Sequence, residues 1–373
     1  MLNRMFVDNY KCLVNFELPL QELTLLLGPN GVGKTSVLDV IFAIRQLLNG
    51  TAKVTDFTAF PESTLTKWQS RPFQTFVLEA DLDDEHYVYR LEVQHERPQA
   101  RQVRRARVWK ELLTGNGGPL FLFSAGDVQL YRDDHSEGPK FPADWSESAL
   151  ARVVPRSDNQ RLSRFLDFIR KIVVCGLYPA SFESETRAED PILGRDARNF
   201  ASWYLDALLE RQDLVPRYTE SLKEVIEGFR GIRLEKVGQD TRALMVQFDA
   251  SESLYELRFD QISDGQRALI ALYALVHLKA GQNYTLFLDE PDNYVALPEI
   301  QPWLVELSDA CGDTIPQAVL CSHHPELIDY LGGDRGLLLS RESDGVTTAR
   351  PVQANGSEPG LKLSELVARG WER

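Results

Sequence analysis

The chain has few cysteines, no long apolar run, no sustained heptad pattern and no surplus of basic charge. Only four of its 373 residues are cysteine. Cys12, Cys175, Cys311 and Cys321 are scattered without C-x-x-C spacing, so neither a disulfide scaffold nor zinc is expected, and a reduced, cytoplasmic chain is. The opening MLNRMFVDNY lacks the apolar core of a signal peptide, and no run reaches the ~20 residues that cross a bilayer, so no membrane partner is expected. Without heptads, internal repeats or low-complexity tracts, an extended coiled coil or a repeat array is excluded. The net charge of −14 opposes broad attraction to nucleic acid. One stretch runs the other way. RPQARQVRRARVWK, residues 97–110, carries Arg97, Arg101, Arg104, Arg105, Arg107 and Lys110 with Val103, Val108 and Trp109 interleaved. It reads either as a solvated hairpin balancing the nearby EADLDDEHY or as a stripe that contacts DNA.

Glycine, by contrast, is placed with purpose. GPNGVGKTS, residues 28–36, follows the apolar run Leu23, Thr24, Leu25, Leu26, Leu27 and precedes Val37, Leu38, Val40, Ile41, Ile44, Leu47 and Leu48 at helical spacing. Strand, loop and helix therefore come in the order that a phosphate-binding G-x-x-x-x-G-K-[ST] loop requires. Gly28, Gly31 and Gly33 let the backbone turn N–H groups, those of Asn30 and Val32 included, toward one anion. The helix N-terminus adds partial positive charge, Lys34 a point charge for the β- and γ-phosphates, and Thr35 a hydroxyl for Mg²⁺, with Ser36 completing the loop.

Strand-like alternation over about residues 2–8 and 12–18 precedes this loop, and a meander of antiparallel strands follows it: FQTFVLEADL, YVYRLEVQ, RQVRRARVWKELL and PLFLFSA. RLSRFLDFIRKIVV, ARNFASWYLDALLERQ and LVPRYTESLKEVIEGF read as amphipathic helices, the last two as a possible αα-hairpin. After three strand-like runs between residues 232 and 259, helix and strand alternate to the end, which suggests a return to a parallel sheet. The expected division is residues 1–150, an N-terminal lobe with the phosphate loop and β-meander; 151–260, a helical insert with returning strands; and 261–373, a C-terminal lobe.

Three further motifs lie in that last lobe. In YTLFLDEPDN an apolar strand ends in Asp289 and Glu290. A carboxylate at the C-terminal edge of a parallel strand suits Mg²⁺ held through water, and Glu290 can polarise an attacking water. In QISDGQRALIALYALVHL, Ser263 caps a helix opened by Asp264, Gly265 and Gln266, a second anion-seeking helix end. In AVLCSHHPELID another apolar strand ends at His323, within reach of a γ-phosphate; metal binding by His323 and His324 together is not expected, because neighbours on an extended chain point oppositely.

Phosphate loop, Ser-x-Gly-Gln, hydrophobic-Asp-Glu-Pro and strand-end histidine, in this order, resemble an ABC-type ATPase head. The opening FVDNYKCLVNFELPLQELTLLLGPNGVGKTSVLDVI is similar to the SMC and RecF-like branch, in which an Asn-aromatic-basic element, here Asn9, Tyr10 and Lys11, precedes the nucleotide loop. SHHPELID and the compact insert are most similar to stand-alone ATPases related to the ATPase half of overcoming-lysogenization-defect nucleases. The resemblance implies an α/β fold, a mixed or parallel sheet core with an antiparallel β-lobe and a helical insert, without a long coiled coil. It further implies ATP and Mg²⁺ as cofactors, Lys11 near the nucleotide, Glu290 as catalytic base and His323 as sensor. A homodimer or higher even-numbered oligomer is implied, each ATP lying between residues 28–36 of one chain and 263–266 of the other. An antiphage role with a nuclease-like effector in trans follows from the same likeness, since this sequence shows no nuclease motif. A RecF-like repair ATPase that clamps DNA is the alternative, and the nucleotide subunit of a membrane transporter a more distant one.

The sequence also departs from the pattern. Asp264 stands where transporter heads have glycine, and a carboxylate there repels a triphosphate unless turned away, so slow turnover is expected. DNYVALPEIQPWL lacks the usual aspartate of the following dimer-contact loop. Gln69, Gln74 and Gln129 all remain possible as the glutamine of the Mg²⁺ shell. The closing LKLSELVARGWER reads as a short helix, docked either on a partner or on its own domain.

Overall fold

The computed structural model describes residues 1–96, 105–250, 253–352 and 362–368. Two compact units result, Met1–Ile172 with Gly332–Gly356 and Glu372–Arg373, and Val173–Leu331 with Ser357–Trp371. Strands β1 to β18 and helices α1 to α8 are numbered in chain order.

In the first unit, β1 (Leu2–Asp8), β2 (Phe16–Pro19), β4 (Phe73–Leu82), β5 (Glu85–Glu96), β6 (Arg105–Gly115), β7 (Gly118–Ser124), β8 (Asp127–Tyr131) and β9 (Glu137–Pro142) form one antiparallel sheet, ordered β2-β1-β4-β5-β6-β7-β8-β9. Alternation drives it. On β5, Tyr87, Tyr89, Leu91 and Val93 are buried while the residues between them are more exposed, the period-2 pattern of a half-buried strand. Helix α2 (Gln160–Arg170) buries Leu162, Phe165, Leu166 and Ile169, with Phe165 against the rings of Tyr87 and Tyr89 at 5.8 and 5.7 Å. A second, smaller group of strands holds β3 (Leu23–Leu27), with β17 (Gly336–Arg341) parallel to it and β18 (Thr347–Pro351) antiparallel on β17. Helix α1 (Lys34–Leu48) leaves β3 through the phosphate loop and packs on α2.

The second unit opens with β10 (Ile172–Gly176), next to β15 (Thr285–Asp289), which runs parallel to β16 (Gln317–Cys321). β10 corrects the sequence reading: RLSRFLDFIRKIVV ends as helix at Arg170, and the β-branched, apolar Ile172, Val173 and Val174 form a strand instead. β11 (Glu185–Thr186), β12 (Phe229–Lys236), β13 (Arg242–Ala250) and β14 (Ser253–Arg258) make an antiparallel sheet in which β13 pairs with the other three. Helices α3 (Phe200–Glu210), α4 (Val215–Val225), α5 (Asp264–His277), α6 (Leu297–Ala310), α7 (Pro325–Arg335) and α8 (Leu363–Ala368) complete the described elements.

Helix α5 is the hub of this unit. Every residue from Ala268 to His277 is buried, and α4 and α6 pack on it. Tyr218 Oη of α4 and Trp303 Nε1 of α6 donate to the Ile270 and Leu272 carbonyls at 3.0 and 3.1 Å, which satisfies the polar end of each buried ring. Thus α4 docks on α5. The closing helix α8 packs on its own unit: the Ser364 amide and hydroxyl donate to Asp329 of α7 at 2.8 and 2.9 Å.

Candidate nucleotide site

The loop after β3 is shaped by close approach as much as by turning. Gly28 has φ 141°, and a Cβ there would lie 2.4 Å from the Leu339 carbonyl oxygen of β17. Gly31 and Gly33 also have positive φ, 77° and 113°, conformations that glycine takes at little cost. Gly33 is the N-cap of α1. Val32 is buried and its carbonyl accepts from the Thr347 hydroxyl at 2.7 Å, so β18 clamps the loop from outside. Asn30, Gly31 and Thr35 are exposed, and Ser36 is buried. The Lys34 side chain folds back over the loop, its Nζ donating to the Gly28 and Pro29 carbonyls at 2.6 and 3.2 Å.

Upstream, Asn9, Tyr10 and Lys11 divide their labour. Asn9 is buried and donates through Nδ2 to the Arg71 and Phe73 carbonyls at 2.9 and 2.7 Å. Tyr10 packs edge-on against Phe60 and Phe76. Lys11 reaches Asp39 of α1 at 2.9 Å, one helical turn beyond Thr35. Of the three glutamines, Gln74 is fully buried and committed at both ends, to His95 at 2.9 Å and to the Asn9 carbonyl and Thr64 hydroxyl at 3.1 Å each. Gln129 donates to the Leu130 and Gly138 carbonyls within the β8–β9 hairpin. Gln69 is half-buried, accepts from Arg71 Nε at 3.3 Å, and follows Trp68, whose ring lies 5.5 Å from the Arg341 guanidinium.

In the second unit, the ends of β15 and β16 carry the acid and histidine motifs side by side, because parallel pairing sets Asp289 opposite Cys321. Glu290 takes a left-handed backbone, φ 47°, with its amide on the Cys321 carbonyl at 2.8 Å. Its carboxylate has two neighbours: His323 Nδ1 at 3.4 Å from Oε1, and Asn293 Nδ2 donating to Oε2 at 2.8 Å. A carboxylate oriented from both sides, and still about one-third exposed, is placed to take a proton from water. Behind it the Ser322 hydroxyl donates to buried Asp292 at 2.6 Å and accepts from the His324 amide at 2.9 Å, tying the loop after β15 to the loop after β16. Asp289 itself receives Arg195 Nη2 at 2.7 Å.

At the start of α5, Ser263 and Gln266 form a reciprocal capping box: the Gln266 amide donates to Ser263 Oγ at 3.2 Å and the Ser263 amide to Gln266 Oε1 at 3.1 Å. Asp264 is turned aside by Arg267, whose Nη2 lies 2.6 Å from Oδ1 while its Nη1 donates to the Pro179 carbonyl at 2.7 Å. The repulsion that Asp264 would impose on a phosphate is thereby offset within the helix. Gly265 meets the backbone of the loop after β15; a Cβ there would stand 2.8 Å from the Tyr294 carbonyl oxygen.

Arg195, Arg267, Asn293 and Asp292 were not singled out from sequence. Asn293 had a signal, since it lies three residues past Glu290. Arg267 had one too, at i+3 from Asp264 on a helix. Arg195 had none, as its partner is 94 residues away.

Thr35 of the first unit offers a hydroxyl and Asp289 of the second a carboxylate, each a hard oxygen donor of the kind Mg²⁺ takes with phosphate and water, so the donor types present fit that ion. In the basic stretch, Arg97, Arg101, Val103 and Arg104 lie outside the described residues. Arg107 pairs with Glu96 at 2.9 Å and Gln94 at 2.8 Å and lies over Trp109.

The fold has solved counterparts. A structure of the SmcHead bound to the C-winged helix domain of ScpA has a TM-score of 0.52 and 13% identity, and the match covers 95% of this chain and 98% of that one. An Smc head domain with an extended coiled coil, bound to the C-terminal domain of ScpA derived from Pyrococcus furiosus, has a TM-score of 0.52 at 12% identity, covering 100% and 98%. The fold is therefore that of an SMC head domain. A model of the family described as "AAA domain, putative AbiEii toxin, Type IV TA system" matches residues 23–329, and the chain belongs to that family. A 41-residue stretch is also 51% identical to an OLD nuclease of Thermus scotoductus, a match spanning 11% of this chain and 8% of the nuclease.

Proposed function

We propose that the chain binds and hydrolyses ATP with Mg²⁺, dimerises around the nucleotide, and serves as the nucleotide-controlled sensor or scaffold subunit of a bacterial antiphage complex with a nuclease-like effector in trans. The observation that carries the chemical part is Glu290 held between His323 and Asn293 at the end of β15. In this reading residues 30–36 cradle the phosphates and Lys34 leaves its two loop carbonyls for the β- and γ-phosphates. Lys11 approaches the nucleotide from beside α1. Thr35 and Asp289 hold the Mg²⁺, which supplies charge neutralisation at the phosphates. Glu290 accepts the proton of the attacking water and His323 orients it. Of the three glutamines, Gln74 has its Oε1 on His95 and is set aside as a candidate for the Mg²⁺ shell, which leaves Gln69 and Gln129. Ser263, Asp264, Gly265 and Gln266 face the ATP of the second chain, with Arg267 keeping the Asp264 carboxylate from the phosphates. The division into residues 1–150, 151–260 and 261–373 is part of the same reading.

The effector and the antiphage role are supported by the likeness to an OLD nuclease and by the toxin–antitoxin wording of the family description. The alternative, direct DNA clamping, gains no support from Arg107, whose charge is matched by Glu96.

Glu290→Gln should bind ATP as wild type does, lose turnover by about 10²-fold or more, as removal of a general base commonly does, and accumulate an ATP-dependent dimer in size-exclusion chromatography. Lys34→Ala should instead lose ATP binding. Wild-type turnover in Glu290→Gln would overturn the assignment of the base.

A further inference from the structure

The carboxylate at the end of β15 is matched by a cation that an irregular loop delivers. Residues 190–199 have no regular secondary structure, yet they are tied at several points. Asn199 accepts from the Gly194 amide at 2.8 Å and donates to Asp190 Oδ2 and the Ile192 carbonyl at 2.7 and 2.8 Å; Asp196 accepts from the Arg198 amide at 3.1 Å. The Arg195 carbonyl accepts from the Gly176 amide at 2.8 Å, which pins the backbone beneath the side chain to the end of β10. Gly176 lies alongside the pair: a Cβ there would just touch Arg195 Nη1 and Asp289 Cβ, each at 3.4 Å. The side chains of the pair are 23% and 12% exposed, so the contact is shielded from water.

We propose that Arg195 is a stand-in cation for Asp289, holding the carboxylate before Mg²⁺ arrives and competing with the metal for it. This rests on the reading of Asp289 as the magnesium carboxylate. An ionised carboxylate withdrawn from water needs a countercharge, and arginine supplies one that does not titrate away. Mg²⁺ held through water needs the same carboxylate to accept from its bound water, and Arg195 Nη2 already occupies Oδ2, so the hydrated ion and the guanidinium compete for that oxygen. Because the Arg195 backbone is anchored, the guanidinium yields by side-chain rotation while the loop stays in place. Arg195 is a positioning residue in this scheme: it sets the Mg²⁺ concentration at which the site loads.

The test is a MgCl₂ titration of N-methylanthraniloyl-ADP binding, read by fluorescence, in wild type, Arg195→Met and Asp289→Asn. Arg195→Met should lower the Mg²⁺ concentration for half-maximal tightening by roughly tenfold, a change that relief of a shielded ion pair can supply, with affinity in EDTA unchanged. Should the Met variant not fold, Arg195→Gln, neutral but still polar, carries the same expectation. An unchanged or weakened Mg²⁺ response in a folded Arg195 variant, while Asp289→Asn abolishes the response, overturns the stand-in role alone. If Asp289→Asn leaves the wild-type response intact, the magnesium reading of Asp289 falls and the proposal with it.

Discussion

Glu111 of β6 is a fully buried carboxylate in the β-lobe, hydrogen-bonded by Tyr89 Oη at 2.8 Å and Ser148 Oγ at 2.6 Å. Burial raises its pKa from 4.5 to about 7, and the two hydroxyls pull it only partly back. The folded state therefore binds the proton more tightly than the unfolded chain does. Stability should be full below about pH 4.5, fall as pH rises toward 7, and level off above, a loss of about 3 kcal/mol at most from this group. Glu111→Gln, which keeps a carbonyl acceptor for both hydroxyls, should flatten that dependence; urea titrations at pH 5 and pH 8 would show it. A wild type equally stable at both would contradict the assignment. Nothing in the strand pattern RARVWKELLTG marks Glu111 as buried, because a lone glutamate on an alternating strand reads as solvent-facing. The positions of Glu290 and His323 were legible for the opposite reason, each following an apolar strand short enough to be unambiguous. Arg195 reaches Asp289 through a loop without periodicity, and no local pattern announces such a contact.

Among elements, the strand, loop and helix at residues 23–48 were the most legible, since glycine spacing and two hydrophobic periods agree. Local signals also located the start of α5, where Ser263 proved to be one half of a capping box. That geometry separates two roles of the same serine. Ser263→Ala should cost about 1 kcal/mol of stability through loss of the cap alone, seen as a lower melting temperature without nucleotide. Any additional loss of the ATP-dependent dimer in Glu290→Gln/Ser263→Ala, measured where both proteins are folded, belongs to contact with ATP across the dimer. Gly28→Ala should fare worse than either: its Cβ would stand 2.4 Å from a β17 carbonyl and its φ of 141° disfavours a side chain. The strand β10 was missed because an apolar β-branched run next to an amphipathic helix continues the helical period for another turn, and only the sheet edge it fills decides the matter.

At the scale of the whole molecule, α2 lies in the first unit and α3 and α4 in the second. Contacts between distant segments make that division, so composition shifts along the chain could not mark it. Charge is the property of the whole that was legible from the start, and it bears on the choice between effector control and DNA clamping. With a net charge of −14, long-range attraction to a polyanion must come from a local patch large enough to outweigh the surrounding field. In the described part of the basic stretch, the charge of Arg107 is already matched by Glu96. Binding of a fluorescein-labelled duplex, followed by anisotropy at about 150 mM salt, where screening falls within ~8 Å, should therefore be weak and unaffected by ATP. Charge reversal at Arg104, Arg105 and Arg107 should leave it unchanged. ATP-strengthened binding that falls steeply with salt and is lost on reversal would instead place DNA on the β-lobe, because each phosphate contact contributes its own released counterion to the slope. The ATP-dependent dimer of Glu290→Gln would survive either result, so the two measurements separate what the nucleotide does to this chain from what the dimer then holds.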